Sequence, residues 1–122
     1  MGTWDRLDSL SCMPNNLQVV MAQDFEIIDI HQHIGPYYNF HIPHDDAAGM
    51  VREMDRLGIR QGWISSNAAI EGDAVLGNDE TAAALASYPD RFAGYAVFDP
   101  HYPEESARDV AKRLAGPGFR CI

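Results

Sequence analysis

From Phe25 to Ile122, short apolar runs alternate with segments of helical period, one pair per ~30 residues, and this alternation restricts the chain to a parallel α/β sheet. The run from Phe25 to Ile30 is mostly apolar and β-branched, as a buried parallel strand requires. Ala47, Met50, Val51, Met54 and Leu57 then fall at helical spacing, with Asp45 or Asp46 available as N-cap and Gly58 as terminator. The cycle repeats with a strand over Gln61–Ser65, a loop rich in Gly, Asn and Asp, and a helix over Asn78–Tyr88 followed by Pro89. A third strand is expected over Phe92–Phe98. Pro103, Glu104 and Glu105 suit the first turn of a third helix, Ala107, Val110, Ala111 and Leu114 form its apolar stripe, and Lys112 and Arg113 suit its C-terminal end. Gly116-Pro117-Gly118 breaks that helix, and Phe119 opens a fourth strand. No sequence repeat accompanies the cycle, so the chain is not a solenoid.

Residues 1–23 show no clean period and are expected to form a loose N-terminal arm, with residues 24–122 as the ordered part. At 46% hydrophobic and 22% charged residues the composition is that of a globular protein. A net charge of −9 and a single lysine, Lys112, argue against nucleic acid as a partner, because phosphate binding needs a basic face. No segment reads as a secretory signal or a membrane span. Cys12 and Cys121 form no CxxC and are expected as free thiols, which fits a reducing cytoplasm.

The informative stretch is Asp29-Ile30-His31-Gln32-His33. Strict alternation in an extended strand puts Asp29, His31 and His33 on one face and Ile28, Ile30 and Gln32 on the other. Two imidazoles two residues apart at a strand end can converge on one cation, and neutral imidazole suits zinc and other first-row metals. Asp29, one step deeper, is placed to orient a histidine or the neighbouring backbone. Active sites of parallel α/β proteins gather at the C-terminal ends of strands, which is where this pair falls. A bare HxH is weakly specific, its bland reading being two polar loop histidines. The apolar strand before it and the Gly35-Pro36 turn after it favour the metal reading.

Ile28-Asp29-Ile30-His31-Gln32-His33-Ile34-Gly35 resembles the first-strand signature of the amidohydrolase superfamily. Tyr88-Pro89-Asp90-Arg91-Phe92-Ala93-Gly94 and Asp99-Pro100 resemble the helix-two to strand-three region of its amidohydrolase-related branch. Phe119-Arg120-Cys121-Ile122 resembles the start of that branch's fourth strand, where a glycine more often stands at Cys121. The resemblance runs from about Ile27 to Ile122, the front part of the family's domain. It implies a (β/α)8 TIM-type barrel, of which three βα units and a strand start are less than half. It also implies one or two divalent metals, zinc first with manganese or iron as alternatives, held in part by His31 and His33. The family's later ligands, histidines on strands five and six and an aspartate on strand eight, have no counterpart here, and the catalytic base is likewise absent. The implied reaction is metal-assisted hydrolysis of a small-molecule amide or ester, with the chain alone inactive. The branch also holds metal-dependent non-oxidative decarboxylases, and a non-catalytic α/β fragment is the third reading. PHP phosphoesterases and TatD-like nucleases share the first-strand logic but fit the Tyr88–Phe92 run less well.

Other residues draw plainer readings. His41 and His44 lie in the loop after the first strand and suit a substrate rim better than ligation. His101 follows the third strand in a turn, and Asp99 suits the Asp-Pro turn itself. Ser65, Ser66 and Asn67 end the second strand without a partner base that would make Ser65 a nucleophile. Trp4, Trp63 and the tyrosines suit packing. A sheet that stops at four strands has bare edges, so self-association into a homo-oligomer is expected.

Overall fold

The computed structural model describes residues 25–122. The arm expected over residues 1–23, with Trp4 and Cys12, lies outside the described residues. Four parallel strands, β1 (Ile27–Ile34), β2 (Ile59–Ser66), β3 (Phe92–Tyr95) and β4 (Phe119–Cys121), lie in chain order β1-β2-β3-β4. Between them run α1 (Ala47–Leu57), the single turn α2 (Asn67–Ile70), α3 (Ala74–Ser87) and α4 (Pro103–Leu114). Sequential order with no reversal carries every crossover helix to the same side of the sheet, because crossovers share one hand. The core shows it: Met54 of α1, Ala84 and Leu85 of α3 and Val110 of α4 join Ile34, Ile64, Phe92 and Phe119 in one buried cluster. The opposite sheet face carries no helix among the described residues.

Local chemistry explains the element ends. Asp46 caps α1 by accepting from the Gly49 N–H, and Gly58 closes it at φ 73°, a conformation that costs glycine little. Pro103 opens α4, where its missing N–H is no loss. Several boundaries differ from the sequence expectation. β1 runs over Ile27–Ile34, not Phe25–Ile30, and so takes in both histidines. β2 runs from Ile59, not Gln61. α3 begins at Ala74, four residues before Asn78, because Asp73 caps it through the Leu76 N–H, and α2 occupies part of the expected loop. β3 ends at Tyr95, because β4 is short and the Val97 N–H turns to the side chain of Asn78 instead of a ladder partner.

The Tyr88–Phe92 run, which suggests no chemistry in the sequence, contains a structural staple. The Arg91 guanidinium donates to the carbonyls of Arg60 (2.9 Å) and Ile59 (3.0 Å) and to Asp55 Oδ1 (2.7 Å). It thereby ties the end of α1 and the start of β2 to the entry of β3. The Asp55 carboxylate is exposed, so the ion pair contributes little and the carbonyl bonds dominate. Arg91→Ala should therefore lower stability by about 2 kcal/mol in urea denaturation. Arg91→Lys should restore less than half of that, since one ammonium cannot span three acceptors set in a fork.

Candidate metal centre

β1 does not keep strict alternation. Its register against β2 steps from Asp29–Gly62 to Gln32–Ile64, three residues against two, so Ile30 and His31 form a bulge with no partner across. Ahead of the bulge Ile28 pairs with Gln61, and after it His33 pairs with Ser65 and Ile34 with Ser66. Parallel neighbours in register share a face. Ile34 and Ile64 belong to the buried core, so Gln32, Ile34 and Asp29 face the helices. Ile28, Ile30, His31 and His33 face the bare side with Gln61, Trp63 and Ser65.

This corrects the expected arrangement. Asp29 does not share a face with the two histidines, and Ile28 and Ile30 are not opposite them. The bulge inserts one residue between Asp29 and Gln32 and so inverts the alternation there. Asp29 and Gln32 consequently meet side by side, with Gln32 Nε2 donating to Asp29 Oδ2 at 2.9 Å. Gln32 lies so close over Gly62 that a Cβ there would overlap its Oε1, and that oxygen is buried with no hydrogen-bond partner.

His31 and His33 converge. Their Nε2 atoms stand 3.0 Å apart and their rings are perpendicular, centroids 4.9 Å apart. His33 Nδ1 lies 3.1 Å from Ser65 Oγ, and with Nδ1–H donating there, the Nε2 lone pair is free toward His31. Burial, then the neighbouring His31, lower the His33 pKa below its ordinary value, with Ser65 opposing, so the ring keeps its neutral, ligating form to lower pH. Asp29 Oδ1 accepts the backbone N–H of His31 at 3.1 Å, a contact to backbone and not to an imidazole. The histidines line a cavity of about 350 Å³ with Ile30, Gln32, Ser65 and Tyr95 at the C-terminal end of β1.

The donor set fits part of a zinc-type site. Two nitrogens at about 2.0–2.1 Å from a tetrahedral metal lie about 3.3 Å apart, a few tenths beyond their present separation and within a small ring rotation. Among the described residues no third His, Cys, Asp or Glu completes a cluster with them. His41 and His44 stand in the exposed loop after β1, His44 at φ 61°. His101 is engaged with Asp99, whose Oδ1 accepts both its backbone N–H (2.8 Å) and Nδ1 (2.9 Å). These contacts, the backbone one first, hold the Asp99 carboxyl below its usual range. Ser66 hydrogen-bonds Glu80 on the helix side, away from the imidazoles. Cys121 is a free, exposed thiol.

Sequence reasoning missed Tyr95, whose hydroxyl donates to the Ile30 carbonyl at 2.8 Å while its ring lies 5.6 Å from that of Trp63. The available signal was parity: Tyr95 is two residues from Ala93, which pairs with Trp63 on the bare face. No helix among the described residues is long and apolar enough to cross a membrane. Comparison with models of protein families and with curated proteins finds no match for this chain.

Proposed function

We propose that the chain is the front part of a metal-dependent hydrolase of the amidohydrolase type, with His31 and His33 supplying two ligands to a divalent cation, zinc first. The observation that carries this reading is the 3.0 Å convergence of the two Nε2 atoms on the bare sheet face at the C-terminal end of β1. In a βα barrel that face is the interior and that end is the active-site end. Sequential strand order with helices on one side is also the winding a (β/α)8 barrel uses, and further strands would cover Ile28 and Ile30, which are 47% and 65% exposed. A divalent metal held there supplies an acidified water and polarises a substrate carbonyl. The chain's own residues do the positioning. Ser65 holds the His33 ring in one orientation through Nδ1, and the cavity beside Tyr95 offers room for a small substrate group.

The test is turnover of a panel of amides and esters by the full-length gene product. Metal-dependent hydrolysis that is restored by zinc after chelation and abolished by His31→Ala is the expected result. Release of CO2 from aromatic or unsaturated acids with the same dependence assigns the carboxy-lyase reaction instead. Turnover indifferent to chelation and to His31→Ala overturns the reading.

A further inference from the structure

The bulge that aims His31 is held by one peptide group. Ile30 and His31 have no partners in β2, so the peptide between them lies outside the ladder. A trans peptide points its C=O and N–H in opposite directions. Here the N–H of His31 goes to Asp29 Oδ1, on the helix side, and the C=O of Ile30 goes to the Tyr95 hydroxyl, on the bare side. The peptide therefore stands across the sheet, gripped at both ends by side chains on opposite faces. Gln32 Nε2 holds the other Asp29 oxygen, and Trp63 packs beside the Tyr95 ring.

We propose that Tyr95 is a positioning residue for the metal site, acting with Asp29 through the Ile30–His31 peptide. The inference rests on the metal-site reading above and names what sets the geometry of that site. Orienting this peptide fixes the backbone torsions on either side of it, and with them the direction in which the His31 imidazole leaves the strand. Metal sites tolerate errors of only about 0.5 Å or 10–20° in their ligands, and strand pairing does not supply that constraint at a bulge. Tyr95 reaches β1 from β3 across the whole width of β2, so the clamp also couples His31 to the third strand. The hydroxyl touches neither imidazole and acts only through the backbone.

Tyr95→Phe keeps the ring and removes only the hydroxyl. In the metal-free chain, amide hydrogen exchange at His31 should rise about tenfold in Tyr95→Phe and in Asp29→Ala, with exchange at Ile64 and Phe92 unchanged. Zinc affinity, measured by competition with a chromogenic chelator, should fall about tenfold in both variants. Asp29→Asn, which retains an acceptor oxygen, should rescue it. In a His31→Ala background Tyr95→Phe should have no further effect, a result that a general loss of stability would not produce. Unchanged exchange at His31, or an equal affinity loss in both backgrounds, overturns the clamp. Zinc bound through His31 and His33 but unmoved by Tyr95→Phe overturns this inference alone. Failure of the unsubstituted chain to bind zinc overturns the proposed function and the positioning role with it.

Discussion

Replacing His31 or His33 by alanine should weaken zinc binding on the order of a hundredfold, about 2.7 kcal/mol. Each substitution leaves one imidazole where two now meet at 3.0 Å, and a single imidazole gains nothing from the convergence. The two substitutions differ in what else they remove. His33→Ala also frees Ser65 Oγ, whereas His31→Ala leaves the His33–Ser65 contact intact. Unfolding followed in zinc gives the readout: at 100 times its Kd the metal stabilises the unsubstituted chain by about 2.7 kcal/mol, and at that same concentration either variant should show almost none of it. Affinity should also rise with pH through the imidazole range, because zinc and proton compete for the same nitrogens. The His33 pKa lies below its ordinary value, so His33 is already neutral at a pH where an ordinary imidazole is still partly charged, and its own titration falls at the acid end of that rise. Equal zinc affinity in the unsubstituted chain and both variants would remove the metal centre.

Asn78→Leu should be strongly destabilising. Asn78 is 1% exposed, and its Nδ2 donates to the Val97 carbonyl (3.0 Å) and to Asp109 Oδ2 (2.8 Å) while its Oδ1 accepts the Val97 N–H (2.8 Å). One amide thus satisfies both backbone groups of the segment leaving β3 and ties α3 to α4. Arg113 extends the network, bonding Asp109 (3.0 Å) and Asp79 (2.5 Å). Leucine is close in size but pairs with none of these groups. The stranded N–H and C=O of Val97 should together cost about 3–4 kcal/mol, which for ~100 residues lowers Tm by roughly 15 °C or more. Asn78→Asp keeps the acceptor for Val97 but sets a carboxylate against Asp109 and a carbonyl, so its loss should be larger at neutral pH than in acid. Thermal melts followed by circular dichroism would decide it, and a change below about 1 kcal/mol for Asn78→Leu would mean that water takes over those bonds.

Periodicity sufficed for elements whose signals are local. The apolar stripe of α1 between Asp46 and Gly58, and that of α4 behind Pro103, specify both helices because spacing and caps lie within a dozen residues. The identity of the histidine pair and its place at the end of the first strand were equally legible. What the sequence could not carry was face. Alternation assigns Asp29, His31 and His33 to one side only while the register is unbroken, and the register is a property of β1 against β2. One unpaired step there sends Asp29 to the helix side, while His31, Gln32 and His33 keep the ordinary alternation, so the two imidazoles share the bare face as their spacing requires. The same limit explains why Asn78, Arg91 and Tyr95 stayed silent. Each acts on groups 19 to 65 positions away, and a side chain's partners at that separation are set by how strands and helices stack. The chain's own order of residues thus determined the elements, their alternation and the two imidazoles. Only the packed sheet decided that Asp29 leaves their face and that Ile28 and Ile30 join it, because a bulge is defined by the neighbour it fails to pair with.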